Sequence, residues 1–125
     1  MSLRDPLATA RGLGTAKDGV SHWWLQRLTA VALMLLTPWF AWFVLGMIGA
    51  DQLAARELIA RPLNASLLTA FVLALLWHAR LGLQVVIEDY VHGWPEIALQ
   101  IASKFAYAIA AIASLLAIAR IVVTA

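Results

Sequence analysis

No cysteine occurs among the 125 residues. That absence excludes disulfides, thiolate metal sites and iron–sulfur ligation by this chain. A redox centre that it helps to hold must therefore hang on histidine or arrive with a partner. Charge is scarce as well: 13% of residues are charged and 63% are hydrophobic, whereas a soluble domain carries roughly a quarter charged residues. So little polar surface cannot cover a water-soluble globule, and lipid must be the solvent for most of the chain. The formal net charge is +2, and the few basic residues stand at the ends of apolar segments instead of forming a patch. Nucleic acid is accordingly excluded as a partner. The sequence also lacks a nucleophile triad, a phosphate loop and a metal-cluster spacing, so no independent catalytic activity is expected. Its first 20 residues have no apolar core of signal-peptide length and include Asp5 and Asp18, unlike an Arg-rich transit peptide. The expectation is a polar tail over 1–20, an uncleaved first helix, and a multi-pass protein of a bacterial inner membrane.

Three long apolar stretches are present. The first, Leu28 to Ala50, runs 23 positions without a charge, where about 20 suffice to cross a hydrocarbon core of about 30 Å. Pro38 lies inside it and is tolerable in a membrane helix, with a kink near the middle. Trp23 and Trp24 precede it and suit an interfacial aromatic belt. The second runs from Pro62 to Ile87, with Pro62 in the first helical turn, where its missing N–H costs nothing. The third begins at Ile97; Lys104 and Arg120 bracket uncharged residues and can snorkel to opposite interfaces. Ala106, Ala110, Ser114 and Ala117 form a stripe of small residues suited to close helix packing. Asp51 to Arg61 reads as a loop, and GlyTrpPro breaks the chain between the second and third spans.

The expected fold is thus an all-α membrane protein with a three-helix anchor domain over 21–125, its helices at about 22–50, 62–90 and 96–124. Arg4, Arg11, Lys17 and Arg27 flank the first helix on one side, against Arg56 and Arg61 on the other. The positive-inside rule then puts the N-terminus in the cytoplasm and the C-terminus in the periplasm.

The second span carries its own interruptions. His78 lies ten residues before Glu88, roughly 15 Å deep along a helix. An ionisable side chain at that depth marks a functional site by default, and neutral imidazole is a good ligand for haem iron. A plain hydrogen bond to a neighbouring helix explains the residue equally well. Gly82, four residues on, shares the His78 face and removes bulk where a flat macrocycle would approach. Asp89 points within about 20° of His78, and Tyr90 about 120° round. A phenol beside an acid at the interface suits hydrogen bonding and proton delivery to a small redox ligand, although interfacial tyrosines and helix-end acids are common without such a role. Arg80 faces about 200° from His78 and is expected against protein or cofactor, because exposure to lipid is costly. Trp77 reads as packing. His92 reads as an exposed loop residue.

The stretch HARLGLQVVIEDY, His78 to Tyr90, resembles the signature of the smaller hydrophobic anchor subunit of succinate dehydrogenase: a histidine, a glycine four on, and AspTyr eleven and twelve on, at the end of the second of three helices. SHWWLQRLTA, Ser21 to Ala30, is similar to that family's approach to the first helix. The resemblance implies His78 as an axial ligand of a b-type haem shared with a partner cytochrome b membrane subunit. It also implies Tyr90 as the ubiquinone hydrogen-bond donor, Asp89 as its supporting acid and Arg27 near the haem propionates. Some members carry a histidine where this chain has Ser21; here the next residue, His22, is the histidine. His22 precedes the apolar run and lies too close to the interface to share an iron with His78.

The function implied is that of a membrane anchor in a succinate:quinone oxidoreductase, with flavoprotein and iron–sulfur subunits as further partners. A cytochrome b anchor of another quinone-linked enzyme, such as a fumarate reductase, fits the same spacings. A cofactor-free membrane scaffold or small transport component is the alternative from a different class.

Overall fold

A backbone that crosses lipid must satisfy every N–H and C=O internally, and the long apolar runs do so as helices. The computed structural model describes residues 16–125, with side chains from Val20 onward. The tail positions Arg4, Asp5 and Arg11 lie outside the described residues, as do the side chains of Lys17 and Asp18. Helix α1 covers Ala16–Gly46, α2 Gln52–Ala60, α3 Pro62–Tyr90 and α4 Trp94–Thr124. Three segments are long and apolar enough to cross a membrane: Val20–Gly46, Pro62–Tyr90 and Trp94–Thr124, with mean hydropathies of 2.0, 1.8 and 2.2. The chain is therefore an all-helical, multi-pass membrane protein. The 29 residues of α3 rise about 44 Å, more than a hydrocarbon core of about 30 Å, so the ends project or the helix tilts.

Helix α1 continues through Pro38 and ends at Gly46, four residues short of the apolar run's last residue. The chain turns through Met47–Gly49, with Met47 N–H donating to Val44 O at 3.0 Å. Gly49 takes φ +82°, a left-handed conformation that glycine adopts without steric cost. The segment Asp51–Arg61, expected as a loop, contains the nine-residue helix α2. The Asp51 carboxylate caps it by accepting the Ala54 N–H at 2.8 Å, which satisfies one of the orphan donors of the first turn. Its residues are mostly strong helix formers. It stops where Arg61 becomes extended ahead of Pro62. Asn64 donates to Leu58 O at 2.8 Å and closes that end, while Arg56 donates to the Thr124 hydroxyl and ties α2 to the last turn of α4.

Helix α3 is the middle of the assembly. It packs against α1 on one side and α4 on the other, and among the described residues α1 and α4 do not pack together. Burial follows this order. Among the described residues the buried apolar ones are Phe43, Ala65, Phe71, Leu81 and Ile87, and all but Phe43 belong to α3. Phe40 and Phe71 stack across the α1–α3 interface; across α3–α4, Gln100 donates to Gln84 O at 3.2 Å. Most other large apolar side chains are exposed, an arrangement suited to lipid or partner helices rather than water. The small-residue stripe of α4 packs only in part. Ala110 and Ser114 are half-buried, whereas Ala106 and Ala117 are exposed. The face turned inward runs through Gln100, Ser103, Tyr107, Ala110, Ser114 and Ile118, rotated from the stripe so that Tyr107 lies against α3.

Candidate functional site

His78 stands three turns before the end of α3 and reaches toward α1. Its Nδ1 lies 3.0 Å from the Thr29 hydroxyl. That hydroxyl also lies 2.8 Å from Leu25 O and 3.1 Å from Gln26 O, one turn back in its own helix. A carbonyl oxygen only accepts, so the single hydroxyl proton goes to the helix backbone, as is common for threonine in helices. Both contacts are hydrogen bonds only if His78 Nδ1–H donates to Thr29 Oγ1. This arrangement fits a ring that donates through Nδ1, which in the neutral imidazole is the tautomer with its lone pair on Nε2.

A groove of about 550 Å³ lies between α1 and α3, lined by His22, Trp23, Gln26, Arg27, His78 and Val85 among others. That volume suits a small organic ligand or cofactor. Thr29 marks the level of His78 on α1. His22 lies seven residues nearer the start of that helix, about 10 Å along the axis. The groove thus has a deep imidazole and a polar, cationic rim. Among the described residues, His22 Nε2 and Gln26 Oε1 are buried on this wall without a hydrogen-bond partner, an arrangement that calls for a further polar group at the groove. The Arg27 guanidinium stands 5.4 Å over the Trp23 ring, which orients it at the mouth. A Cβ built at Gly82 would meet nothing within 4 Å, so the face below His78 is open.

The remaining candidates separate from this groove. Tyr90 is the last residue of α3 and 81% exposed. Asp89 is exposed beside it, and neither lines the groove. With respect to the chain alone they form an open helix end, about 18 Å along α3 from His78. Arg80 turns the other way, as the helical wheel requires, and faces α4. Its guanidinium lies 4.8 Å over Trp77, beside a cavity of about 150 Å³ that Lys104 and Tyr107 also line. His92 is exposed in the turn before α4. Thr29 and Gln26 were missed from the sequence. The signal was available: His22, Gln26 and Thr29 recur at spacings of four and three, a polar stripe on one face of an apolar helix.

Three helices of membrane-crossing length, with a partly polar groove between the first and the central one, define a small multi-pass membrane protein. Residues 1–119 match the family model described as succinate dehydrogenase/fumarate reductase transmembrane subunit, and the chain belongs to that family. It is 41% identical over 88 residues to the succinate dehydrogenase hydrophobic membrane anchor subunit of Rickettsia bellii, which covers 70% of each chain. The subunit of the same name from Paracoccus denitrificans is 36% identical over 88 residues, 70% of this chain and 68% of the relative. A succinate dehydrogenase membrane anchor subunit of Reclinomonas americana is 36% identical over 80 residues, 62% of this chain and 67% of the relative. No solved structure gives a match. The likeness carried by His78–Tyr90 and Ser21–Ala30 is borne out at the level of the family.

Proposed function

We propose that this chain anchors a succinate dehydrogenase in a bacterial inner membrane, shares one b-type haem with a partner cytochrome b membrane subunit, and contributes Tyr90 to a ubiquinone site. Succinate is then oxidised on a flavoprotein subunit, with iron–sulfur clusters of a third subunit in between. The observation that carries the reading is the imidazole of His78, which lines a half-open groove and meets the Thr29 hydroxyl through Nδ1. Among the described residues no three histidine, cysteine or carboxylate side chains gather to hold a bare metal ion. A lone imidazole instead suits an iron whose equatorial ligands come with a macrocycle.

The residues of the groove fit that group. His78 Nε2 would ligate the iron, and the space beside Gly82, one turn on in α3, is open to a flat ring. Arg27 at the rim and the unpartnered His22 Nε2 would receive carboxylates, the former as a charge-assisted donor. Haem, when bound, supplies a one-electron centre. At the exposed end of α3, the Tyr90 hydroxyl would donate to a quinone carbonyl and Asp89 would support proton delivery. The lysine and arginine distribution supports a cytoplasmic location for this end, where protons are available.

Replacing His78 with Phe tests the reading. In the purified complex, the pyridine haemochrome content and the reduced-minus-oxidised b-type signal should fall sharply while the subunits stay assembled. Unchanged spectra with unchanged iron ligation would refute it.

A further inference from the structure

We propose that Thr29 is the positioning residue of the haem ligand: its hydroxyl accepts the Nδ1 proton of His78, fixes the ring plane, and leaves Nε2 as the ligating nitrogen. The inference rests on the reading of His78 as an axial ligand and adds a residue outside the His78–Tyr90 signature.

The geometry is specific. A threonine inside a helix ordinarily donates to the carbonyl one turn back and does nothing more; Thr69 does so to Ala65 O at 2.8 Å. Thr29 makes the same bond to Leu25 O at 2.8 Å and, in addition, meets His78 Nδ1 at 3.0 Å from another helix. The hydroxyl proton is committed to the backbone, so its oxygen is an acceptor aimed at the imidazole. Metal-ligating histidines generally donate their second ring N–H to an acceptor, which sets tautomer and orientation and raises ligand basicity. Here the acceptor is a neutral hydroxyl, within an apolar membrane helix where an unpaired N–H would be costly. A weak dielectric also strengthens the single bond that is present. The bond joins α1 to α3 at the level of the groove, so the position of the ligand is coupled to the packing of the two helices.

The test compares three versions of the whole complex: wild type, Thr29→Val and Thr29→Ser. Valine keeps the shape and removes the acceptor, whereas serine keeps the hydroxyl. Thr29→Val should lower haem affinity tenfold to a hundredfold, the usual cost of losing such a partner. It should also raise the haem midpoint potential, because a less basic imidazole favours ferric iron less, and alter the low-spin ferric EPR signal, which reports imidazole orientation. Thr29→Ser should restore all three. Should the valine complex fail to assemble, Thr29→Ala carries the same comparison without the branched side chain. Wild-type affinity, potential and EPR in the acceptor-free variant overturn the proposal, as does a serine variant shifted like valine. A His78→Phe complex measured alongside separates the two claims: if it keeps the wild-type haem signal, the ligand assignment has failed. If it loses that signal while Thr29→Val stays wild type, only the role of Thr29 has failed.

Discussion

The ring of Phe40 on α1 lies flat on that of Phe71 on α3, with centroids 4.3 Å apart and planes 11° from parallel. Phe71 is seven residues before His78, about 10 Å down the same helix. The α1–α3 interface therefore has two fasteners of different chemistry, an aromatic stack on one side and the Thr29–His78 hydrogen bond at the groove. Phe71 is among the few buried of the described residues, so its loss leaves a cavity that neighbours refill only in part. Phe71→Ala should cost about 3–5 kcal/mol, read as a lower thermal midpoint of the complex. Phe71→Leu, which conserves most of the volume, should cost under about 1.5 kcal/mol. Equal midpoints for the alanine variant and wild type would show that the stack bears no load.

Much of this architecture was legible before any coordinates. Uncharged runs of membrane length give three spans because lipid leaves the backbone no other solution. Helical geometry alone puts His78 and Arg80 on opposed faces, and they do reach α1 and α4 respectively. What was not legible depends on tertiary neighbours. Nothing in the apolar runs says that α3 lies between the other two, or that Tyr107 rather than Ala106 turns inward. Helix α2 was missed because nine residues lack the long period that marks the spans, although its Asp51 cap is a sequence signal. Thr29 was missed because one hydroxyl in an apolar helix acquires meaning only from the histidine opposite.

Tyr90→Phe tests the proposed quinone role by comparing two activities of the complex. If its phenol donates to the quinone carbonyl, Tyr90→Phe loses one hydrogen bond worth about 1–1.5 kcal/mol, or roughly a tenfold fall in quinone reduction. Succinate oxidation by artificial dyes, which bypasses the membrane site, should be unchanged. The exposure of Tyr90 in the chain makes a folding defect an unsuitable explanation for such a split. Parallel loss of both activities would instead point to assembly and remove the support for a quinone role.

Asp51→Ala tests whether α2 is held by its cap. The Asp51 carboxylate is the side-chain acceptor for the first turn, and removing such a cap costs about 0.5–2 kcal/mol. Amide exchange over Gln52–Ala60 should quicken by a corresponding factor while α3 is unaffected. The helix lies at the membrane face opposite the groove, so haem spectra should not change. Unaltered exchange would mean that Arg56, through Thr124, and Asn64, through Leu58, hold the segment without the cap.

Three crossings put the start of α1 and the end of α4 on opposite sides of the membrane, and the basic residues support one of the two orientations. Arg4, Arg11, Lys17 and Arg27 precede or open the first span, whereas Arg56 and Arg61 follow it. By the positive-inside rule, the proposed topology has the start of α1 on the cytoplasmic side. The end of α3, with Asp89 and Tyr90, lies on that same side because α1 and α3 are successive spans of opposite direction. Alkaline phosphatase folds to an active form only outside the cytoplasm, so a fusion after Ala125 should be active and one placed after His92, in the turn between α3 and α4, inactive. The reverse pattern would move Tyr90 to the periplasmic face, away from the side where a flavoprotein and iron–sulfur subunit would meet cytoplasmic succinate. The proposed route of electrons from those subunits to a quinone at Tyr90 would then fail on geometry, whatever the haem spectra showed.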